Sequence, residues 1–114
     1  MDNTKTLFIK GTDTGCKIFV ADTLLKRFWG WMLRKRPLNE GLLLSPCSSI
    51  HTFFMRFNIN VVFLNSRNIV VKVTEHVRPF RITLPVKDAC KVLELPADSI
   101  RTFTIKAGDV LEFR

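Results

Sequence analysis

Few side chains of this 114-residue chain could carry chemistry, and they are scattered. His51 heads a long apolar run, "HTFFMRFNINVVFLN", where an imidazole could act as a general base or hold an anion. Arg27 and Arg56 could hold a carboxylate or phosphate beside it. Glu94, in "VLELP", is flanked by Leu93 and Leu95, so it projects to the opposite face together with Val92. If that face is internal, the carboxylate needs a cation, and Arg27 is the natural partner, in a structural pair rather than a catalytic acid. Cys47 and His51 lie four positions apart, a workable spacing for two zinc ligands. Cys16, His76 and Cys90 form no second close pair, however, and structural zinc wants four ligands. A Cys47 nucleophile with His51 as its base lacks a third, orienting group. No metal and no cofactor is therefore expected.

Those residues must be positioned mainly by strands. "KTLFIK" (5–10) and "CKIFVA" (16–21) are β-rich runs separated by "GTDTG", which suits a hairpin loop. The two glycines lack the Gly-Lys-Ser/Thr ending of a phosphate loop. Asp22 and Thr23 offer capping oxygens to a short helix with Leu24, Leu25, Phe28, Trp29 and Met32 at helical spacing, weakened by Gly30. A basic "RKRP" stretch follows.

From residue 41 the signal is β again: "GLLL", "IHTFFMRF", "VVFL" and "IVVKVTEHV", with "NIN" and "NSRN" as turns. In the second run, alternation puts His51 on the face of Phe53, Met55 and Phe57, and Thr52 and Arg56 on the other. His51 and Arg56 then share no cavity unless a bulge intervenes, and the plainest role for His51 is a hydrogen bond to a backbone carbonyl at a strand end. "VVFL" is apolar at every position, which implies burial on both faces. "RPFRITLPV" carries prolines at 79 and 85 that exclude a regular central strand, so it reads as a long connection of the kind that borders sites. "CKVLELP", "RTFTIK" and "DVLEF" complete the strands. Seven to nine short strands and one short helix near the N-terminus predict a mainly β domain, a compact sandwich or partly closed barrel.

Composition agrees with one domain over 1–114: hydrophobic residues make up 46% and charged residues 25%. Three scattered cysteines point to unpaired thiols in a reducing compartment. No apolar run approaches a membrane span and no signal-peptide layout opens the chain. A cytoplasmic protein is expected. The net charge of +8 favours anionic partners, and five of the basic residues, Lys26, Arg27, Arg34, Lys35 and Arg36, cluster in one stretch with Phe28, Trp29 and Trp31. Such a mixture of cations and aromatics suits a nucleic-acid or membrane-surface contact as well as a solvated rim over the core.

The series "RFWGWMLRKRPLNEGLLL", "IHTFFMRFNINVVFLN", "VRPFR", "KVLELPADSI" and "KAGDVLEF" resembles the bacterial and archaeal domain-of-unknown-function 192 family, from about Phe19 to Phe113. The resemblance implies a compact, prokaryotic, mostly β domain with one short helix, and imports no mechanism. By matching position, Arg27, Gly30, Met32, Gly41, His51, Met55, Arg56, Glu94, Gly108 and Asp109 fall on the family's pattern. Asn58 and Asn60 stand where the family commonly has Pro and then an acidic residue. Asn60 cannot ionise, which removes any acid-base role for that position. Asp98 stands where Gly is usual, and Trp29 and Trp31 make the end of the expected helix bulkier than the family's.

These observations favour a non-enzymatic ligand-binding or accessory domain, with a small polar cleft bordered by His51, Arg27, Glu94, Arg56, Asn60 and, from the "RPFR" loop, Arg81. The expected ligand is small and polar or anionic. The alternatives are a weak hydrolase or transferase with His51 as general base, and nucleic-acid or anionic-surface binding through residues 26–36.

Overall fold

The computed structural model describes residues 4–21, 40–53, 55–97 and 104–114. The expected helix and the basic cluster, including Arg27, fall outside the described residues, as do Asp98 and the start of "RTFTIK". Within them, seven strands form one sheet: β1 (Thr4–Ile9), β2 (Thr12–Ala21), β3 (Glu40–Leu44), β4 (Ile59–Leu64), β5 (Val70–Val77), β6 (Lys91–Pro96) and β7 (Leu111–Phe113), in the order β5-β4-β6-β3-β2-β1-β7.

The two ends of that order meet. Ile69 bridges Val110, the Val70 N–H donates to the Asp109 carbonyl at 2.8 Å, and the Leu111 N–H donates to the Asn68 carbonyl at 2.9 Å. The sheet is thus a partly closed barrel, the second of the two architectures expected. Gly108 makes the closing turn with φ +95°, a conformation that favours glycine, and Asp109 Oδ2 accepts the Lys106 N–H at 3.0 Å.

Alternation along the strands sorts apolar side chains into two layers. Leu7, Ile18, Leu43, Val62, Leu64, Leu93 and Leu95 fill the inside of the barrel. Leu42, Leu44, Ile59, Val61, Phe63 and Val92 face outward and are buried all the same, because Ile50, Met55, Phe57, Val86 and Ala89 of the segments 45–57 and 78–90 pack over them. All of "VVFL" is buried, as its composition predicts.

Two local expectations change. The expected "GTDTG" loop is a tighter device: Lys10 and Gly11, with φ +52° and +79°, make the reversal alone. Thr14 and Gly15 form a bulge within β2, since Leu7 pairs with Cys16 and Phe8 with Asp13. The Thr14 hydroxyl donates to the Leu7 carbonyl at 2.6 Å and accepts the Cys16 N–H at 3.1 Å, which uses the polar groups that the bulge frees. Secondly, the described residues of "IHTFFMRF" form no regular strand, and Ile50–Thr52 pair with the turn after β5 around the single His51–Ile82 bridge. The cause lies in Thr52.

Candidate functional site

Thr52 is 1% exposed, and nearly all its polar capacity is spent on the turn at 78–81. Its N–H donates to the Arg81 carbonyl at 2.9 Å, and its carbonyl accepts the Phe80 N–H at 3.0 Å. Its hydroxyl donates to the Arg78 carbonyl at 2.7 Å and accepts the Arg81 N–H at 2.8 Å. A threonine side chain supplies one donor and two lone pairs, so it substitutes here for a strand's backbone ladder. Phe80 is held with φ +61°, costly for a non-glycine residue and maintained by these bonds.

This anchoring fixes a row of rings. His51 stacks on Phe53 with centroids 5.1 Å apart, and Phe53 meets Phe80 at 6.3 Å. The Phe53 N–H donates to His51 Nδ1 at 3.2 Å. In the neutral ring this leaves Nε2–H as the outward donor. Phe53 and Phe80 are exposed, an uncommon state for phenylalanine, and the exposed Arg81 stands at the same turn. The sequence expectation for His51 was a donor to a backbone carbonyl; the ring instead accepts from a backbone N–H two residues on.

Glu94 belongs to a different environment. It pairs with Leu42 of β3 and Val61 of β4, on the outward face that carries Val92, and is 3% exposed. Alternation from the flanking leucines predicts this face. Burial pushes its carboxyl up to about 8, so the neutral acid is the form that the fold favours at neutral pH. Among the described residues no hydrogen bond or ion pair reaches its side chain.

Asn60 sits where β4 and β5 lose register, Ile59 pairing with Val77 and Val61 with Thr74. Its Oδ1 accepts the N–H of His76, which takes φ +53° in the bulge, at 3.0 Å. Its neighbours Ile59 and Val61 face outward with Glu94, so Asn60 lies on the opposite face. Arg56 is exposed, as is Arg81. The structure therefore joins His51 and Arg81 through Thr52 and its aromatic neighbours, and ties neither Asn60 nor Glu94 to them by any hydrogen bond among the described residues. Arg27, the expected partner of Glu94, is outside those residues.

The cysteines are occupied elsewhere. Cys16 lies inside the barrel, where burial, with a smaller push from the Glu40 charge, drives its thiol up to about 12, so it is no nucleophile at neutral pH. The Cys47 thiol donates to the Ser49 carbonyl at 2.9 Å. No three His, Cys, Asp or Glu side chains converge among the described residues.

Sequence reasoning missed Thr52, Phe53 and Phe80. Thr52 has no distinguishing signal beyond being a lone hydroxyl in an apolar run, and aromatic residues in a β-rich stretch read as core.

Comparison with known proteins bears on the fold and the family. The architecture is shared with a Sinorhizobium meliloti 1021 protein described as a proposed transcription regulator, at a TM-score of 0.83 and 18% identity over 98% of this chain and 95% of that one. A protein of unknown function from Novosphingobium aromaticivorans gives 0.78 and 20%, over 96% and 83%. At these identities the likeness concerns the fold alone. In sequence, the chain is 37% identical over 102 residues to a UPF0127 protein of Pyrococcus abyssi, covering 85% of this chain and 86% of the relative. It is 35% identical over 109 residues to one from Pyrococcus furiosus, covering 91% and 92%. The pattern of the domain-of-unknown-function 192 family, described as "Uncharacterized ACR", matches residues 6–113, and with these relatives it establishes that the chain belongs to that family.

Proposed function

We propose that this domain is a non-enzymatic binding module whose recognition surface is the row His51, Phe53 and Phe80 together with Arg81. Its ligand is a small anion with a flat or apolar part. The observation that carries the reading is the anchoring by Thr52: the fold spends a buried side chain and a strained Phe80 backbone on fixing the turn that bears the exposed Phe80 ring and Arg81 beside His51 and Phe53. Rings offer stacking surface, while His51 Nε2–H and Arg81 offer donors to an anionic group. Preorganisation of this kind lowers the ordering cost of binding.

A weak hydrolase or transferase with His51 as general base is supported less well. In the tautomer set by Phe53, the Nδ1 lone pair is already used and Nε2 carries the proton. A cytoplasmic setting is supported by Cys16, Cys47 and Cys90, none of which forms a disulfide.

The test is a titration of ¹⁵N-labelled protein with phenyl phosphate and with inorganic phosphate. Saturable shifts at Phe53, Phe80 and Arg81 that are stronger for the phenyl ester, and are lost in His51→Ala and Arg81→Ala, are the expected result. Equal, unsaturable shifts from both compounds in all three proteins would sink the proposal.

A further inference from the structure

Beyond the small-ligand surface, the connection from Arg78 to Lys87 has an edge of its own. Residues 80–84 run antiparallel to 50–52, bonded through the Arg81 carbonyl and the Thr83 N–H, which donates to the Ile50 carbonyl at 2.9 Å. In that pattern His51 and Ile82 form a non-hydrogen-bonded pair, so the N–H and C=O of Ile82 turn away from 50–52. Among the described residues neither has a partner, and nor has the N–H of Leu84. Side chains repeat the message. Ile82 is 69% exposed and Leu84 81%, far beyond what a β-branched or leucine residue gains from solvent. Around them stand three exposed cations, Arg78, Arg81 and Lys87, against one exposed carboxylate, Asp88.

We propose that this edge is a docking strand for an extended, acidic peptide segment of another protein, which adds antiparallel to residues 80–84. The peptide's backbone satisfies the outward groups of Ile82 and Leu84, its apolar residues pack on their side chains, and its carboxylates meet the arginines and Lys87. Pro79 and Pro85 lack N–H groups and bound the ladder, so the contact is short and its affinity modest. A lipid surface fits less well, because hydrocarbon cannot pair the free N–H and C=O groups. A second copy of this chain fits less well too, because antiparallel self-pairing would bring the same cations together.

The experiment uses the whole chain, ¹⁵N-labelled, and two synthetic heptapeptides, one alternating glutamate with valine and one alternating lysine with valine. With the glutamate peptide, the Ile82 and Leu84 amides shift and become protected from hydrogen exchange, and affinity weakens as salt rises. Ile82→Asp and Leu84→Asp, both on the exposed edge, weaken binding at least tenfold with an unchanged circular dichroism spectrum. His51→Ala binds the peptide like the unaltered chain, which separates this edge from the small-anion surface. Equal binding of the lysine peptide, silence of the two amides at millimolar glutamate peptide, or binding that survives both aspartate substitutions would overturn the proposal. So would Ile82-dependent binding to phosphatidylglycerol vesicles without peptide binding.

Discussion

Thr52 and Arg81 exchange two short hydrogen bonds, from the Thr52 N–H to the Arg81 carbonyl at 2.9 Å and from the Arg81 N–H to the Thr52 hydroxyl at 2.8 Å, beside a longer one from the hydroxyl to the same carbonyl at 3.3 Å. Only the last two depend on the side chain. Thr52→Val keeps the shape and deletes both, together with the 2.7 Å bond to the Arg78 carbonyl. Leaving those groups unpaired beneath the turn should cost about 2–3 kcal/mol. Denaturant midpoints should show that loss, with Thr52→Ser falling much closer to the parent. Hydrogen exchange at Phe80 and Arg81 should accelerate in the valine variant before global unfolding does.

Glu94 should make stability pH-dependent in a defined direction. Its carboxyl is raised by burial from 4.5 to about 8 in the fold. Between these values the folded state holds one more proton than the unfolded chain, so stability is fullest below pH 4.5 and declines as pH rises through 8. The slope is about 1.4 kcal/mol per pH unit for one such proton, and the whole effect is at most roughly 5 kcal/mol. Glu94→Gln should flatten this part of a thermal melting series and raise the melting temperature at pH 9 relative to the parent.

Asn60 invites a comparison with the acid that its family commonly carries at that position. Because its oxygen only accepts the His76 N–H, an aspartate oxygen would serve the bulge equally well. Asn60→Asp should unfold within about 0.5 kcal/mol of the parent, while Asn60→Ala should lose about 1 kcal/mol. A large loss in the aspartate variant would mean that the charge, not the acceptor, matters at this face.

Gly41 is a steric requirement rather than a flexible joint. A Cβ there would lie 2.7 Å from both Ile18 Cδ1 and Leu95 Cδ2, and 3.2 Å from the Glu94 carbonyl oxygen. Gly41→Ala should therefore destabilise by about 1–3 kcal/mol through overpacking between β2 and β6. Urea unfolding would register it as a lower midpoint with an unchanged slope.

Much of the sheet is legible in the sequence because burial imposes a period. Leu93 and Leu95 on one side and Val92 on the other place Glu94 correctly, and the unbroken "VVFL" announces a strand covered twice. What is not legible is the capture of backbone groups by side chains. Thr52 takes the turn at 78–81, Thr14 takes the bulge in β2, and Asn60 takes the bulge in β5. Each replaces a ladder bond between residues distant in the sequence or offset in register, and none leaves a periodic trace. For the same reason the run from His51 to Phe57 reads as a strand by composition while its backbone goes elsewhere. The exposed Phe53 and Phe80 are illegible too, since nothing in residue type distinguishes a ring on the surface from one in the core.

The meeting of Ile69 with Val110 bears on how the protein is made. β7 lies between β1 and the start of β5, joining strands from the first and second halves of the chain. A nascent polypeptide can pair β1 with β2 early, yet the ring of strands cannot shut until residues 108–113 have left the ribosome. Until then the inner leucines of β4 and β6 have an open seam. Synthesis at roughly 5–20 residues per second makes that interval seconds long, a window in which the apolar interior of the unfinished barrel lacks its closing strand.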